Sequence, residues 1–355
     1  TVMLTVTIAN FIAIILAASG RLFRKEKTML LVAAIVLTLF YSVRTDYGND
    51  IPAYKYLFDM VSSASFSDLL GIQERTEPGW MILNYLFVPL GWQSFITFLT
   101  IIQFGTVYWL INKYSDTKYT WIVFALYVLS SELMLVSLSM LRQALAMHIV
   151  AWSIPLILNR RVIIPFLIIL LATTMHTSAY AAFPLIVLPY LCGLRKTFLT
   201  VSFIIVFVCF MIAEALVGDI LNMVLESDTF ERYSGYTDNE QEFGSGLGVM
   251  LYLIGAIWLL YWHHGSKTNT FFILNNAIAV SLIPFVYSIP LVARVSYYFK
   301  LYSLVILPLL FFKKGDFVGK FIFCVIVYII VSGYFNFFED PVWKQAFSTY
   351  YTIFD

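Results

Sequence analysis

Arg44, Asp50, Glu77, Arg142, His176 and Arg294 are ionisable residues set at the edges of long apolar runs. Three are arginines. Guanidinium groups converging on one recess suit a diphosphate, which they grip with paired, charge-assisted hydrogen bonds. Diphosphate is also the natural leaving group of a polyprenyl-linked sugar. Stabilising the negative charge that develops on it is the largest catalytic contribution such a site can make. An acceptor hydroxyl must then be positioned, and a carboxylate or imidazole must take its proton. Asp50, Glu77 and His176 are the candidates, and residue type alone leaves the choice among them open.

Arg142 carries the sharpest signal. Gln143 follows it at once, and the small residues Ala144 and Ala146 flank the pair inside an otherwise apolar stretch. Small neighbours let a ligand or a helix approach closely. Tyr54 and Trp80 present flat rings that suit the apolar faces of sugars, although aromatic belts mark any membrane interface. Bland readings stand beside the others too. A boundary arginine such as Arg44 or Arg294 can snorkel to lipid phosphate, and a histidine at a turn can simply bond a helix end.

The elements that must position these groups are membrane helices. The chain has 355 residues, of which 61% are hydrophobic, 18% aromatic and only 12% charged. Soluble domains carry roughly 25% charged residues, so this composition predicts an all-α polytopic membrane protein. A net charge of +1 gives no pull toward nucleic acid. Cys192, Cys209 and Cys324 all lie in apolar runs and offer neither a disulfide framework nor metal-ligand spacing. There is no P-loop, HExxH motif, nucleotide-binding glycine fingerprint or Asp-x-Asp pair. These absences predict no metal, no cofactor and a lipid-linked donor in place of a nucleotide sugar. His263-His264, beside Lys267, reads as an interface pair.

A bilayer core takes roughly 20 helical residues per crossing. About twelve crossings fit, near 2–19, 28–43, 94–112, 119–136, 140–158, 162–175, 177–192, 197–216, 247–263, 270–289, 294–312 and 317–337. The segment Gly79–Leu90 is short, bounded by Pro78 and by Pro89-Leu90-Gly91, and is expected to dip into one leaflet. The positive-inside rule places 14 of the 22 basic residues on the inner side with only Glu26, Asp116 and Asp316 of the 21 acids. All six ionisable candidates then fall at the outer side, and both termini are expected there. Between Arg161 and Arg195 the chain must go out and back in 33 residues, where two full crossings need roughly 40. His176 at that turn is therefore expected in a recess below the outer surface.

The predicted organisation is one transmembrane domain, 1–338, with large extracytoplasmic loops at 44–79 and 218–246, followed by a tail, 339–355. The second loop is acidic, aromatic and glycine-rich, and reads as a solvated connector or a lid. In the tail, Asp340 suits a helix cap and Pro341 the first helical position. Trp343, Phe347, Tyr350, Tyr351 and Phe354 then recur at helical spacing, which predicts an amphipathic interfacial helix.

Five pieces of the first half resemble the EpsG family of Wzy-type bacterial polysaccharide polymerases. They are RTDYGNDIPAY from Arg44 to Tyr54, EPGW with the asparagine of MILNYL from Glu77 to Asn84, LRQALA from Leu141 to Ala146, the pair Arg160-Arg161, and MHTSA from Met175 to Ala179. The pattern covers roughly residues 40–185, so Arg294 and the loop 218–246 rest on the residue argument alone. The resemblance implies a glycosyltransferase of the bacterial inner membrane. Such an enzyme joins oligosaccharide repeat units carried on undecaprenyl diphosphate at the extracytoplasmic face, releasing undecaprenyl diphosphate. Its partners would be lipid-linked donor and acceptor, membrane lipids and a chain-length regulator. It implies functional positions at Arg44, Asp50, Glu77, Arg142 and His176.

An O-antigen ligase-like enzyme or a polyprenyl-phosphate-sugar transferase would share this outward site, and differs in its acceptor or donor. A lipid-linked glycan flippase would instead set polar groups near the midplane, often in repeated halves. No repeat is present, and Lys300 is the residue that best fits that alternative.

Overall fold

The computed structural model describes residues 2–71, 76–225, 246–263, 265–288, 290–313 and 315–355. The chain divides into two compact units, Thr1–Phe183 with Val327–Asp355, and Pro184–Ile326. In the first, α1 (Val2–Phe23) packs along α2 (Glu26–Ser42), and a three-residue strand, β1 (Arg44–Asp46), follows. After it come α3 (Ile51–Ser62), α4 (Pro78–Phe87), α5 (Trp92–Tyr114), α6 (Thr120–Val128), α7 (Leu135–Ser139), α8 (Leu141–Leu158) and α9 (Ile163–Thr173). A 3-10 segment, Thr177–Ile186, continues from α9.

The second unit holds α10 (Leu188–Leu191), α11 (Lys196–Leu225), α12 (Leu247–Trp262), α13 (Lys267–Ser281), α14 (Ile283–Ser288), α15 (Pro290–Ser303) and α16 (Pro308–Phe312). Next comes α17 (Phe317–Phe337), whose residues from Val327 belong to the first unit, as do α18 (Pro341–Lys344) and β2 (Tyr351–Thr352).

This is an all-α membrane protein with a minimal two-stranded ribbon. Among the described residues, six helical segments are long and apolar enough to cross a membrane: Val2–Phe23, Trp92–Tyr114, Leu141–Leu158, Lys196–Ala213, Val292–Phe312 and Phe317–Phe337. Their composition is not that of a soluble core. Ile15, Leu39, Ile163, Leu167, Ile205 and Phe321 are large apolar side chains on the outside, where lipid must cover them. Polar groups between helices are paired instead, because lipid offers them no partner. Asn10 donates to the Tyr334 hydroxyl at 3.0 Å, and Tyr41 donates to Asn10 at 2.9 Å, tying α1, α2 and the end of α17 together. In the second unit Asn275 donates to the Phe299 carbonyl at 2.5 Å and so links α13 to α15. His263 lies 3.1 Å from the Asp316 carboxylate, which also accepts from Trp258 and from the Gly319 amide.

Several sequence expectations change. The predicted crossing 177–192 is a 3-10 segment followed by the short α10, and the predicted loop 44–79 contains the helix α3. The predicted helix 119–136 is instead α6, a turn and α7. Leu133–Met140 is continuously buried, the circumstance in which non-helical backbone is tolerated among membrane helices. The tail is not a long amphipathic helix. Asp340 does cap, accepting from the Val342 amide at 2.8 Å, and Pro341 does begin a helix, but α18 ends at Lys344. The chain then turns, and β2 pairs antiparallel with β1, Arg44 opposite Thr352.

The tail's aromatic residues explain the difference. Tyr350 stacks on Phe40 at 4.9 Å, and Phe347 meets Tyr47 at 4.6 Å and Phe337 at 4.9 Å. Of the rings expected to lie in lipid, Phe347 is therefore buried in the first unit's own core and Tyr350 packs against it, while Tyr351 and Phe354 stay exposed. Phe347→Ala should cost about 3 kcal/mol or more, the range for deleting a buried aromatic side chain. Unfolding in detergent measures it, and a negligible cost would point to an interfacial helix.

Candidate functional site

The site is built where α4, α8 and the end of α9 meet. Glu77 occupies the N-cap position of α4, with Pro78 at the first helical position, and its carboxylate makes no capping bond. It turns outward from its own helix. Arg142, the second residue of α8, donates from Nη1 to Glu77 Oε2 at 2.6 Å. The Thr177 amide donates to Glu77 Oε1 at 3.0 Å. The Glu77 and Arg142 side chains are 13% and 25% exposed, so the pair is sheltered and still open on one side.

Gly79 makes this meeting geometrically allowed. A Cβ there would lie 2.2 Å from Thr174 Oγ1 and 2.8 Å from the Thr174 carbonyl oxygen. Without one, α4 abuts the end of α9, and the Trp80 amide donates to the Thr174 carbonyl at 3.2 Å. That seats Trp80 fully buried against Tyr54 and Phe95, with ring centres 5.5 Å and 5.2 Å away. Asn84 donates to the Trp80 carbonyl at 2.8 Å. Tyr54 in turn lies under the Arg142 guanidinium, 5.7 Å from its ring centre, a cation–π distance.

Asp50 reaches the same group from another direction. Gly48 adopts φ +134°, and a Cβ there would collide with Ser139 at 2.7 Å. The turn Tyr47–Asp50 therefore docks on the residues just before α8, with the Asp50 amide 3.2 Å from Ser139 Oγ. Asp50 and Glu77 both act electrostatically on Arg142. The N-terminus of α8, 18 residues long, adds its partial positive charge there. His176 stands at the break between α9 and the 3-10 segment, half-buried, with Nδ1 2.6 Å from Ser178 Oγ.

Asp50, Tyr54, Glu77, Trp80, Arg142 and His176 thus share one neighbourhood. Gln143 lies beside it with its side chain buried. Arg44 is placed differently. It is 2% exposed, donates from Nη1 to the Tyr41 carbonyl at 2.5 Å and to Thr100 Oγ1 at 2.9 Å, and is ringed by tyrosines. Burial pulls its guanidinium down to about 10, while Tyr350, Tyr41 and Tyr47 oppose the shift. Arg44 therefore braces β1 against α2 and α5. Arg294 belongs to the second unit, half-buried on α15. Of the predicted loop 218–246, residues 218–225 instead continue α11, and residues 226–245 lie outside the described residues.

Sequence reasoning missed Thr177, Ser178, Ser139 and Thr174, which act through amides, a carbonyl and hydroxyl groups. The only signal for the first two was their place in MHTSA, beside His176.

Burial alone would raise the Glu77 carboxyl. The Arg142 charge, the Thr177 amide and His176 outweigh it and hold the group below the usual carboxylate range. The ion pair's stability is then fully present above the ordinary glutamate value of about 4.3. It is lost as pH falls through the lower folded value. Melting temperatures of the wild type and of Glu77→Gln should differ by a constant amount at neutral pH and converge only below about pH 4. Convergence near pH 6 would contradict the assignment.

A family model described as the EpsG family matches residues 27–352 of the 355. No curated protein and no solved structure matches the chain.

Proposed function

Because the chain belongs to the EpsG family, we propose that it polymerises oligosaccharide repeat units carried on undecaprenyl diphosphate. It transfers the growing glycan to an acceptor sugar hydroxyl and releases undecaprenyl diphosphate. The reading includes about twelve crossings, an active site on the extracytoplasmic face of the bacterial inner membrane, and a chain-length regulator as partner.

The observation that carries the reading is the Arg142–Glu77 pair, sheltered at the head of a membrane-length helix with His176 and Asp50 beside it. Arg142 meets the diphosphate, where its planar fork and the α8 N-terminus both favour a bound anion. As phosphate oxygens take Arg142, Glu77 loses a charge partner and becomes more basic, when a base is needed. Tyr54 and Trp80 hold the guanidinium and the helix start, and Arg44 and Gln143 act at one remove as positioning residues. Arg294, on α15 of the second unit, remains a substrate-binding candidate on its residue type alone.

The test is elongation by the purified chain in lipid nanodiscs, given undecaprenyl-diphosphate repeat units and no nucleotide sugar. A ladder of lengthened glycan is expected. A strict requirement for a nucleotide sugar, or transfer of a single unit to a non-glycan acceptor, would overturn the reading.

A further inference from the structure

The first two amides of the 3-10 segment Thr177–Ile186 have no partner within their own helix, like those of any helix start. Here both are spent on functional side chains. Thr177 donates to Glu77 Oε1 at 3.0 Å, and Ser178 donates to His176 Nδ1 at 3.2 Å. The second bond decides a chemical question. A backbone amide can only donate, so Nδ1 must present its lone pair to it. The neutral imidazole of His176 then carries its proton on Nε2. The Ser178 hydroxyl, 2.6 Å from the same Nδ1, is consistent as a second donor. A ring held this way has no lone pair on Nε2 with which to accept a proton from an acceptor hydroxyl.

We propose that His176 serves the reaction as a hydrogen-bond donor through Nε2–H, directed at the leaving diphosphate, and that Glu77 alone takes the acceptor's proton. The proposal rests on the polymerase reading and divides its labour. The acceptor O–H bond breaks and its proton passes to a Glu77 oxygen. The hydroxyl oxygen forms the new bond to the anomeric carbon. The anomeric carbon–oxygen bond to the diphosphate breaks, and its electron pair stays on the departing phosphate oxygen. That oxygen is met by Arg142 and by His176 Nε2–H, and undecaprenyl diphosphate leaves. Glu77 has the capacity for this, since a carboxylate offers about four lone-pair sites and two are used by Arg142 and Thr177. The geometry explains why one short sequence, Met175–Ala179, carries two tasks: its side chain is the donor, and its amides aim both that donor and the base.

Side-chain isosteres separate the roles. Glutamine places an N–H near the position of histidine Nε2, whereas asparagine places an acceptor near Nδ1. Turnover of lipid-linked repeat units should fall at least ~100-fold in His176→Ala and His176→Asn, the usual loss for one donor to a developing oxyanion. His176→Gln should stay within about tenfold of wild type, the order of 1.4 kcal/mol in a barrier. Rescue by asparagine and not by glutamine would mean that His176 only caps the 3-10 segment. Equal loss in all three would restore it as the base. Both outcomes overturn the donor role, and melting temperatures identify any variant that fails to fold.

Nitrogen-15 histidine spectra give an arm independent of activity. The chain has four histidines, so the signal missing in His176→Gln is assigned directly. It should show a bare Nδ1 and a protonated Nε2; the reverse tautomer refutes the proposal even in an active enzyme. Wild-type protein that never elongates glycan, yet shows the expected tautomer, would overturn the polymerase reading in its place.

Discussion

Arg142→Ala is expected to abolish long polymer while single exported repeat units accumulate. The guanidinium sits where three favourable contributions coincide: its own fork, the α8 N-terminus and the shelter that leaves it 25% exposed. Losing one preorganised donor to a developing oxyanion typically costs about 10²–10³ in turnover. Arg142 supplies charge as well as donors, so a loss of at least ~10³ is expected here. Arg142→Lys should recover only part of this, since an ammonium on a flexible stem is a point charge without the bidentate fork.

Stability needs its own control. Removing Arg142 takes from the Glu77 carboxylate its ion-pair partner, and breaking a hydrogen bond to a charged group costs about 1.5–3 kcal/mol. The double variant Arg142→Ala with Glu77→Gln should regain much of that stability and none of the activity. Polymer of normal length from Arg142→Ala in cells would remove the diphosphate role.

Gly79→Ala is the second large effect, and its sign is the informative part. Gly79 lies in the first turn of α4. Judged on helix propensity alone, alanine there would be neutral or stabilising by up to about 1 kcal/mol. The structure predicts the opposite. The added Cβ would sit 2.2 Å from Thr174 Oγ1, and rotating that side chain leaves the Thr174 carbonyl oxygen at 2.8 Å. The start of α4 must move away, breaking the Trp80 amide bond to Thr174 and carrying Glu77 off Thr177 and Arg142. Overpacking of this kind costs about 1–3 kcal/mol. A 1 Å displacement of a reacting group costs about 100-fold in rate. Turnover should therefore fall much further than thermal stability does. A Gly79→Ala protein that melts higher and elongates normally would mean that α4 and α9 do not pack this closely.

Much of the candidate site was legible in the chain. Arg142 and Glu77 stood out because lipid makes an ionisable residue costly, so each one at the edge of an apolar run asks for a reason. Pro78 and Pro341 marked helix starts that the structure has, because proline's fixed φ and missing amide suit that position. Other signals were ambiguous at their source. Arg44 has the residue type of a phosphate clamp, yet burial makes it a brace. Trp343, Phe347 and Tyr350 have helical spacing, yet their rings turn inward onto Phe337, Tyr47 and Phe40. Spacing reports which residues share a face only once the backbone is known to be a helix.

The sequence by itself determined that this protein is an all-α membrane protein, and it singled out a few residues as candidates for chemistry there. Lipid enforces those choices through composition and length, both readable one residue at a time. Only the tertiary structure decided that Glu77 faces Arg142 across 65 residues of chain, that a missing Cβ at Gly79 lets it, and that one amide of Ser178 sets the proton of His176. Those are matters of approach between backbones, and no pattern of side-chain types along a chain encodes a distance between two of its turns.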